Sequence, residues 1–444
     1  MSHTISFKNI NRLAIPALIS GISEPILSLT DAAIIGNMEA NATTSLAAVG
    51  IVTTFISMLI WVLGQTRSAI SSIVSQYLGA SNLDKVKDLP AQAILIITAL
   101  SVLIIAITYP LAVPIFKLYN ASETILDYSV IYYHIRVLGF PFTLFTIAVF
   151  GTFRGLQNTF YPMIIAIIGT VINIILDIVL VYGINGIIAP MYIEGAAWAS
   201  VIAQLVMAML SAYFLLTKTD ITLRFKWPFN TEIKKFLLMI VNLFIRTLAL
   251  NIALYFATSF ATSYGETYIA AYTIAINLWF LGAFLIDGYA SAGNILSGKL
   301  FGAKDYKTLL KLSNRLIIYG IAVGSVMCLL GFLFYSPIGR VFSNDPRVLV
   351  KFNEVFWLVL VMQPLCALAF IFDGVFKGLG WMKYLRNLLL FSTLIVFIPI
   401  ILVTDHYDLK LYGIFTAFTF WIIARGLPLI LKFRRTFTAL IQNT

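Results

Sequence analysis

A chain of 444 residues could hold two or three soluble domains, but 60% of these residues are apolar and only 11% charged, against roughly 25% charged in a soluble domain. With a mean hydropathy of +0.94 there is too little polar surface to face water, so the composition predicts an all-α integral membrane protein. The formal charge of +11 points to membrane topology and not to a nucleic-acid partner, because the basic residues fall in alternate loops.

The apolar runs are long enough to cross about 30 Å of hydrocarbon as helices, and they lack the apolar–polar alternation of barrel strands. They predict twelve spans, near 12–37, 45–78, 90–118, 124–155, 160–185, 193–217, 234–264, 267–301, 311–340, 347–378, 384–404 and 409–432. Lys8 and Arg12 precede the first span as in a signal peptide, but Glu24, Asp31 and the lack of a small-residue cleavage site favour a retained helix. Lys85, Lys87, Lys218, Lys226, Lys234, Lys304, Lys307, Lys383, Arg386 and Arg434 lie at the chain end or in every second loop, and few basic residues lie in the others. That asymmetry predicts both termini in the cytoplasm.

In the first span, Ser20, Glu24, Ser28 and Asp31 recur at three- and four-residue steps and form one polar stripe interrupted by Pro25. In the fifth, Thr170, Asn173 and Asp177 do the same. Such stripes should face protein or a water-filled cavity, because lipid cannot satisfy them. A carboxylate there favours its neutral form, so Asp31 and Asp177 are candidates for holding a proton, or Na⁺, with Asn173 as partner. Glu24 lies nearer the helix start and could reach the interface instead.

The second half carries a stripe of Asp287, Ser291 and Asn294 in the eighth span. Asp373 has Lys377 four residues on and reads as a local ion pair. Arg67 in the second span and Arg246 in the seventh have no acidic neighbour in sequence. Each would pair across a helix interface or lend a substrate cavity an anion-attracting spot. Arg136 reads as an interface residue at the outer end of the fourth span. Cys328 and Cys366 sit in apolar segments as small hydrophobes, and no nucleotide-binding loop, metal motif or paired nucleophile is present. Neither an enzyme nor a resident cofactor is therefore expected.

The polar, basic stretch 217–235 splits the chain nearly in half, and the halves match at one offset. "FRGLQ" at 153–157 answers "FKGLG" 223 positions on, as "YLGAS" at 77–81 answers "LFGAK". Pro114 and Pro337 share that spacing, as do Pro141 and Pro364. The chain is an internal duplication whose halves, with six spans each, enter the membrane in the same orientation. This is the parallel-repeat plan of many transporters. It predicts an N-terminal lobe over 1–217, a cytoplasmic loop over 218–233 and a C-terminal lobe over 234–444. None of Asp31, Asp177, Asp287 and Asp373 has an acidic counterpart in the other half, so they are candidates for function that one lobe performs alone.

Together these segments resemble the multidrug and toxic compound extrusion (MATE) family, in its DinF-type branch. The resemblance rests on "PALISGISEPILSLTDAAIIG", "SSIVSQYLGA", "FRGLQNTFYP", "NIILD", "FLIDGYASAGNILSGKLFGA" and "FDGVFKGLGWMKYLRN", in this order over essentially the whole chain. It implies a V-shaped pair of six-helix lobes in a plasma membrane, monomeric, exporting organic compounds, cationic or amphipathic, by alternating access against a proton or sodium gradient. It also implies that Pro25 bends the first helix when Asp31 and Asp177, with Asn173, change protonation. The seventh span has no acidic residue, which favours protons in the N-terminal lobe over sodium in the C-terminal one, and Asn at position 294 speaks against an acidic role for the eighth span. Rival readings within the same superfamily are an exporter of a citrate-like organic anion and a flippase for lipid-linked oligosaccharides.

Overall fold

The structure, a computed structural model, describes residues 5–38, 41–119, 121, 123–184, 187–343 and 345–442, the side chains at 24, 28, 29, 42, 43 and 123 excepted. Among these residues twelve helices are long and apolar enough to cross a membrane. In the first half they are α1 (Phe7–Gly36), α2 (Thr44–Gly79), α3 (Leu83–Thr108), α4 (Thr124–Gly155), α5 (Phe160–Tyr182) and α6 (Tyr192–Lys218). In the second they are α7 (Ile233–Ser263), α8 (Glu266–Gly302), α9 (Tyr306–Leu333), α10 (Pro346–Gly378), α11 (Met382–His406) and α12 (Lys410–Gln442). The chain is a multi-pass, all-α membrane protein.

The expected spans end early in two places, both for the same reason. Hydropathy carried the third span to residue 118 and the ninth to 340, but α3 stops at Thr108 and α9 at Leu333. A separate short helix follows each, Ala112–Lys117 and Tyr335–Phe342. The repeated prolines Pro114 and Pro337 each sit in the first turn of the short helix, where a missing N–H costs nothing. An apolar turn is invisible to hydropathy.

Close packing repeats with the sequence. A Cβ on Gly151 of α4 would lie 2.7 Å from the Arg67 carbonyl of α2, and one on Gly374 of α10 would strike the Ala290 carbonyl of α8. Gly155 meets Ser71 and Val74 as Gly378 meets Asn294 and Ser297. Every one of these partners is 223 positions from its counterpart. Glycine lets two backbones approach where any side chain would hold them apart, so the duplicated glycines set one helix crossing twice.

The halves also differ. α4 is interrupted by a 3-10 turn at Val137–Gly139, after which Pro141 starts the second segment, whereas α10 runs unbroken through its equivalent, Pro364. α11 contains a π-helical stretch, Ser392–Phe397, where its counterpart α5 is regular.

Contacts divide the chain into two compact units. The N-terminal unit takes Ile19–Val74 and Asn82–Leu237, the C-terminal unit Met1–Leu18, Ser75–Ser81 and Leu238–Thr444. Within the N-terminal unit the stretch between α6 and α7 is tied down by the buried Gln92. Its Nε2 donates to the carbonyl of Lys226 (2.9 Å), and its Oε1 accepts from the Asn230 amide (2.8 Å).

Candidate functional site

In the N-terminal unit α5 and α6 touch backbone to backbone near one end, where a Cβ on Gly195 would lie 2.6 Å from the Leu180 carbonyl. Near the other end Gly169 packs on Met207. Between these two contacts the polar face of α5 meets Ser200 of α6. Spacing of four residues puts Asn173 and Asp177 on that face, and both are fully buried.

Asp31 of α1 closes the group. Ser200 Oγ donates to Asp31 Oδ2 at 3.0 Å. With its amide nitrogen turned toward the acids, as their acceptor oxygens require, Asn173 donates to Asp31 Oδ1 (3.3 Å) and Asp177 Oδ2 (3.1 Å). The one amide of Asn173 thus bridges the two buried carboxyl groups, which act on each other electrostatically. Tyr182, at the end of α5, donates to the Ile34 carbonyl at 3.0 Å and fixes α1 beside it. Sequence spacing therefore placed Asp31, Asn173 and Asp177 on their faces, and the fold brings them together.

Arg136, which its sequence position suggested is an interface residue, is buried in the protein at 8% exposure. It ends the first segment of α4, and the 3-10 turn after it brings Gly139 against Val201 and Gln204 of α6. From there its charge acts on Asp31 and Asp177 and on the hydroxyl of Tyr132, which is fully buried one turn earlier. Ser200 and Tyr132 were not singled out from the sequence. A signal for Ser200 exists in the α6 stripe Ser200, Gln204, Ser211, which is spaced like the stripes of α1 and α5.

Pro25 lies inside α1 without interrupting it. Glu24, a candidate from the sequence, has its side chain outside the described residues. Ser20, on the same stripe, accepts from Arg154 Nη2 at 3.3 Å. Arg67 is half-buried on the first turn after α2 is broken at Gly64.

In the C-terminal unit Arg246 Nη2 donates to Asp373 Oδ1 at 2.5 Å, so α7 is joined to α10 by a buried ion pair. Lys377 Nζ is 3.0 Å from Asp373 Oδ2, the local pair that the sequence suggested. Arg425 of α12 lies 4.0 Å from the same carboxylate. Asp287 is exposed on α8 and acts electrostatically on Lys377, while Asn294 is buried. No group of three or more His, Cys, Asp or Glu that could hold a metal occurs among the described residues.

The sequence profile of the family described as MatE matches residues 16–179 and 243–403. Protein DETOXIFICATION 42 of Arabidopsis thaliana is 27% identical, across 94% of this chain and 92% of that protein. DNA damage-inducible protein F of Escherichia coli K12 is 26% identical, across 97% and 93%. A crystal structure of MATE in the bent conformation superposes with a TM-score of 0.90 at 22% identity, covering 98% of this chain and 96% of that one.

Proposed function

The chain belongs to the MatE family, and on that premise we propose that it exports small organic compounds by proton-coupled antiport through alternating access. The observation that carries the coupling is a pair of buried acids, Asp31 and Asp177, bridged by the single amide of Asn173. With one proton on the pair, the acids together bear one negative charge and Arg136 one positive, so the buried group is neutral. Releasing that proton leaves a buried charge in excess, which the interior disfavours. Inward proton flow would then drive the lobe between two states. In this reading Asp31 and Asp177 carry the proton, Asn173 bridges them, and Glu24 is a further candidate on the same helix. Both termini face the cytoplasm and the protein works as a monomer in a plasma membrane.

Efflux of ethidium from proteoliposomes, under an imposed pH gradient or an imposed Na⁺ gradient, tests the coupling. A pH gradient alone is expected to drive export, and Asp31→Asn and Asp177→Asn are each expected to abolish it. Full Na⁺-driven export in those variants would overturn the assignment.

A second reading, export of an organic anion, is favoured by the three cations that surround the single carboxylate of Asp373. In it Arg246 serves the substrate's charge, with Asp287 and Asn294 on the adjoining helix α8, and Arg67 remains a candidate in the other unit.

A further inference from the structure

The C-terminal unit buries more positive charge than it balances. Arg246, Lys377 and Arg425 converge on Asp373 with side-chain exposures of 7%, 15% and 4%. Among the described residues Asp287, on the exposed face of α8, also acts on Lys377, so three cations share one buried carboxylate. An unmatched charge inside a membrane protein is expensive unless something pairs with it.

The excess can be traced to one atom. Arg246 and Lys377 hold Asp373 directly, whereas Arg425 stands 4.0 Å off, beyond hydrogen-bonding distance. Its Nη1 is buried and has no hydrogen-bond partner among the described residues. The guanidinium is held in place by aromatic faces, 4.6 Å from the Trp421 ring and 5.5 Å from that of Phe370. Trp421 is itself fixed, its indole N–H donating to Thr393 Oγ1 at 3.0 Å. Thr393 lies in the π-helical stretch of α11, and such distortions recur at functional sites.

The duplication argues against a scaffold role. Positions 223 before Arg246, Asp373 and Arg425 hold Ser23, Phe150 and Ile202, while Lys377 keeps a basic counterpart in Arg154, so the first half folds the same helix pairs with one cation and without the rest of the cluster.

We propose that Arg425, backed by Arg246, binds the carboxylate of an organic anion whose apolar body lies among the surrounding aromatic rings. A guanidinium offers a planar fork that fits a carboxylate, and Trp421, Phe370 and Trp279 supply apolar faces beside it. The proposal rests on the anion reading of the function, and it names the residues and the ligand chemistry of that reading.

The test uses the full chain in detergent and three probes with one ring and different charge: benzoate, benzamide and benzylamine. Trp421, stacked on Arg425, reports through tryptophan fluorescence. Benzoate is expected to give a saturable change that the neutral and cationic probes do not. Arg425→Gln is expected to weaken benzoate by about tenfold or more, the worth of one charge-assisted hydrogen bond. Arg425→Lys, which keeps the charge and loses the fork, should fall between the two and guards against a glutamine variant that fails to fold. Lys218→Gln, on the exposed end of α6, should bind as the unaltered chain does. Equal binding of benzamide or benzylamine, or benzoate binding unchanged in Arg425→Gln, would overturn the site. So would inorganic phosphate displacing benzoate at equal concentration, which would mark a mere counter-ion position. Counterflow of labelled benzoate in proteoliposomes separates the two levels. Arg425-dependent binding without counterflow would sink anion export and leave the site. Counterflow indifferent to Arg425 would sink the site and leave anion export.

Discussion

Ser200 of α6 donates its hydroxyl to Asp31 of α1 at 3.0 Å, and Asn173 of α5 reaches the same carboxylate from the other side at 3.3 Å. One acid thus ties three helices of the N-terminal unit together. A hydrogen bond to a charged group is worth about 1.5–3 kcal/mol, and Ser200→Ala removes one from the deprotonated form of the pair. Under a fixed pH gradient Ser200→Ala is expected to slow efflux by about tenfold. Ser200→Thr, which keeps the hydroxyl, should recover most of it. Wild-type rates in Ser200→Ala would show that the link plays no part in coupling.

Arg136 balances the acids, and the balance can be measured as stability. Removing one partner of a buried charged group typically costs about 3–5 kcal/mol, so Arg136→Gln is expected to lower the melting temperature at pH 8. Without the arginine the group is neutral only when both carboxyls carry protons. Acid supplies the second proton, so the loss should shrink as the pH falls toward 5. Combining Arg136→Gln with Asp31→Asn restores neutrality with a single proton, and the double variant should melt higher than Arg136→Gln alone. A double variant that melts lower would refute the charge count.

The sequence made some of this legible and concealed the rest for identifiable reasons. Helices and the duplication follow from composition and from glycines and prolines at one spacing, because those residues report on the local backbone. Asp31, Asn173 and Asp177 were found because a polar stripe on an apolar helix has to face inward. The burial of Arg136 was not legible, because the 3-10 turn that follows it in α4 is marked in its local sequence, "RVLGFP", only by a glycine and a proline. The pairing of Arg246 with Asp373 joins residues 127 apart. No rule of spacing within one helix could choose that partner over Asp287.

The duplicated glycine contacts predict a matched pair of lesions. A Cβ on Gly151 would lie 2.7 Å from the Arg67 carbonyl, and one on Gly374 would strike the Ala290 carbonyl. Both neighbours are backbone and cannot swing aside. Gly151→Ala and Gly374→Ala are each expected to destabilise by about 1–3 kcal/mol through overpacking, and the two losses should add, since the residues lie in separate units. Gly50→Ala is the control: nothing among the described residues lies within 4 Å of its Cβ position, and alanine favours a helix over glycine by about 1 kcal/mol. It should be neutral or stabilising in the same melting experiment. A loss at Gly50 matching that at Gly151 would mean that close approach to a neighbouring backbone does not set the cost.

Pro25 stands between two points at which α1 is held. Ser20 is bonded to Arg154 and Asp31 to Ser200, and between them the proline removes the helical hydrogen bond that would reach the Gly21 carbonyl. A helix clamped on both sides of a missing bond bends there first. If protonation of the Asp31–Asp177 pair is what bends it, Pro25→Ala should fold and melt at or above the wild-type temperature, because it restores the bond, and yet export poorly. Spin labels at Ile15 and Asn37, in a chain without Cys328 and Cys366, would report the bend directly. The wild-type distance should change between pH 8 and pH 5, the Pro25→Ala distance should not, and Asp31→Asn should hold one distance at both. An unaltered export rate in Pro25→Ala, or a pH-dependent distance that survives Asp31→Asn, would separate the proline from the acids and remove the hinge from the mechanism.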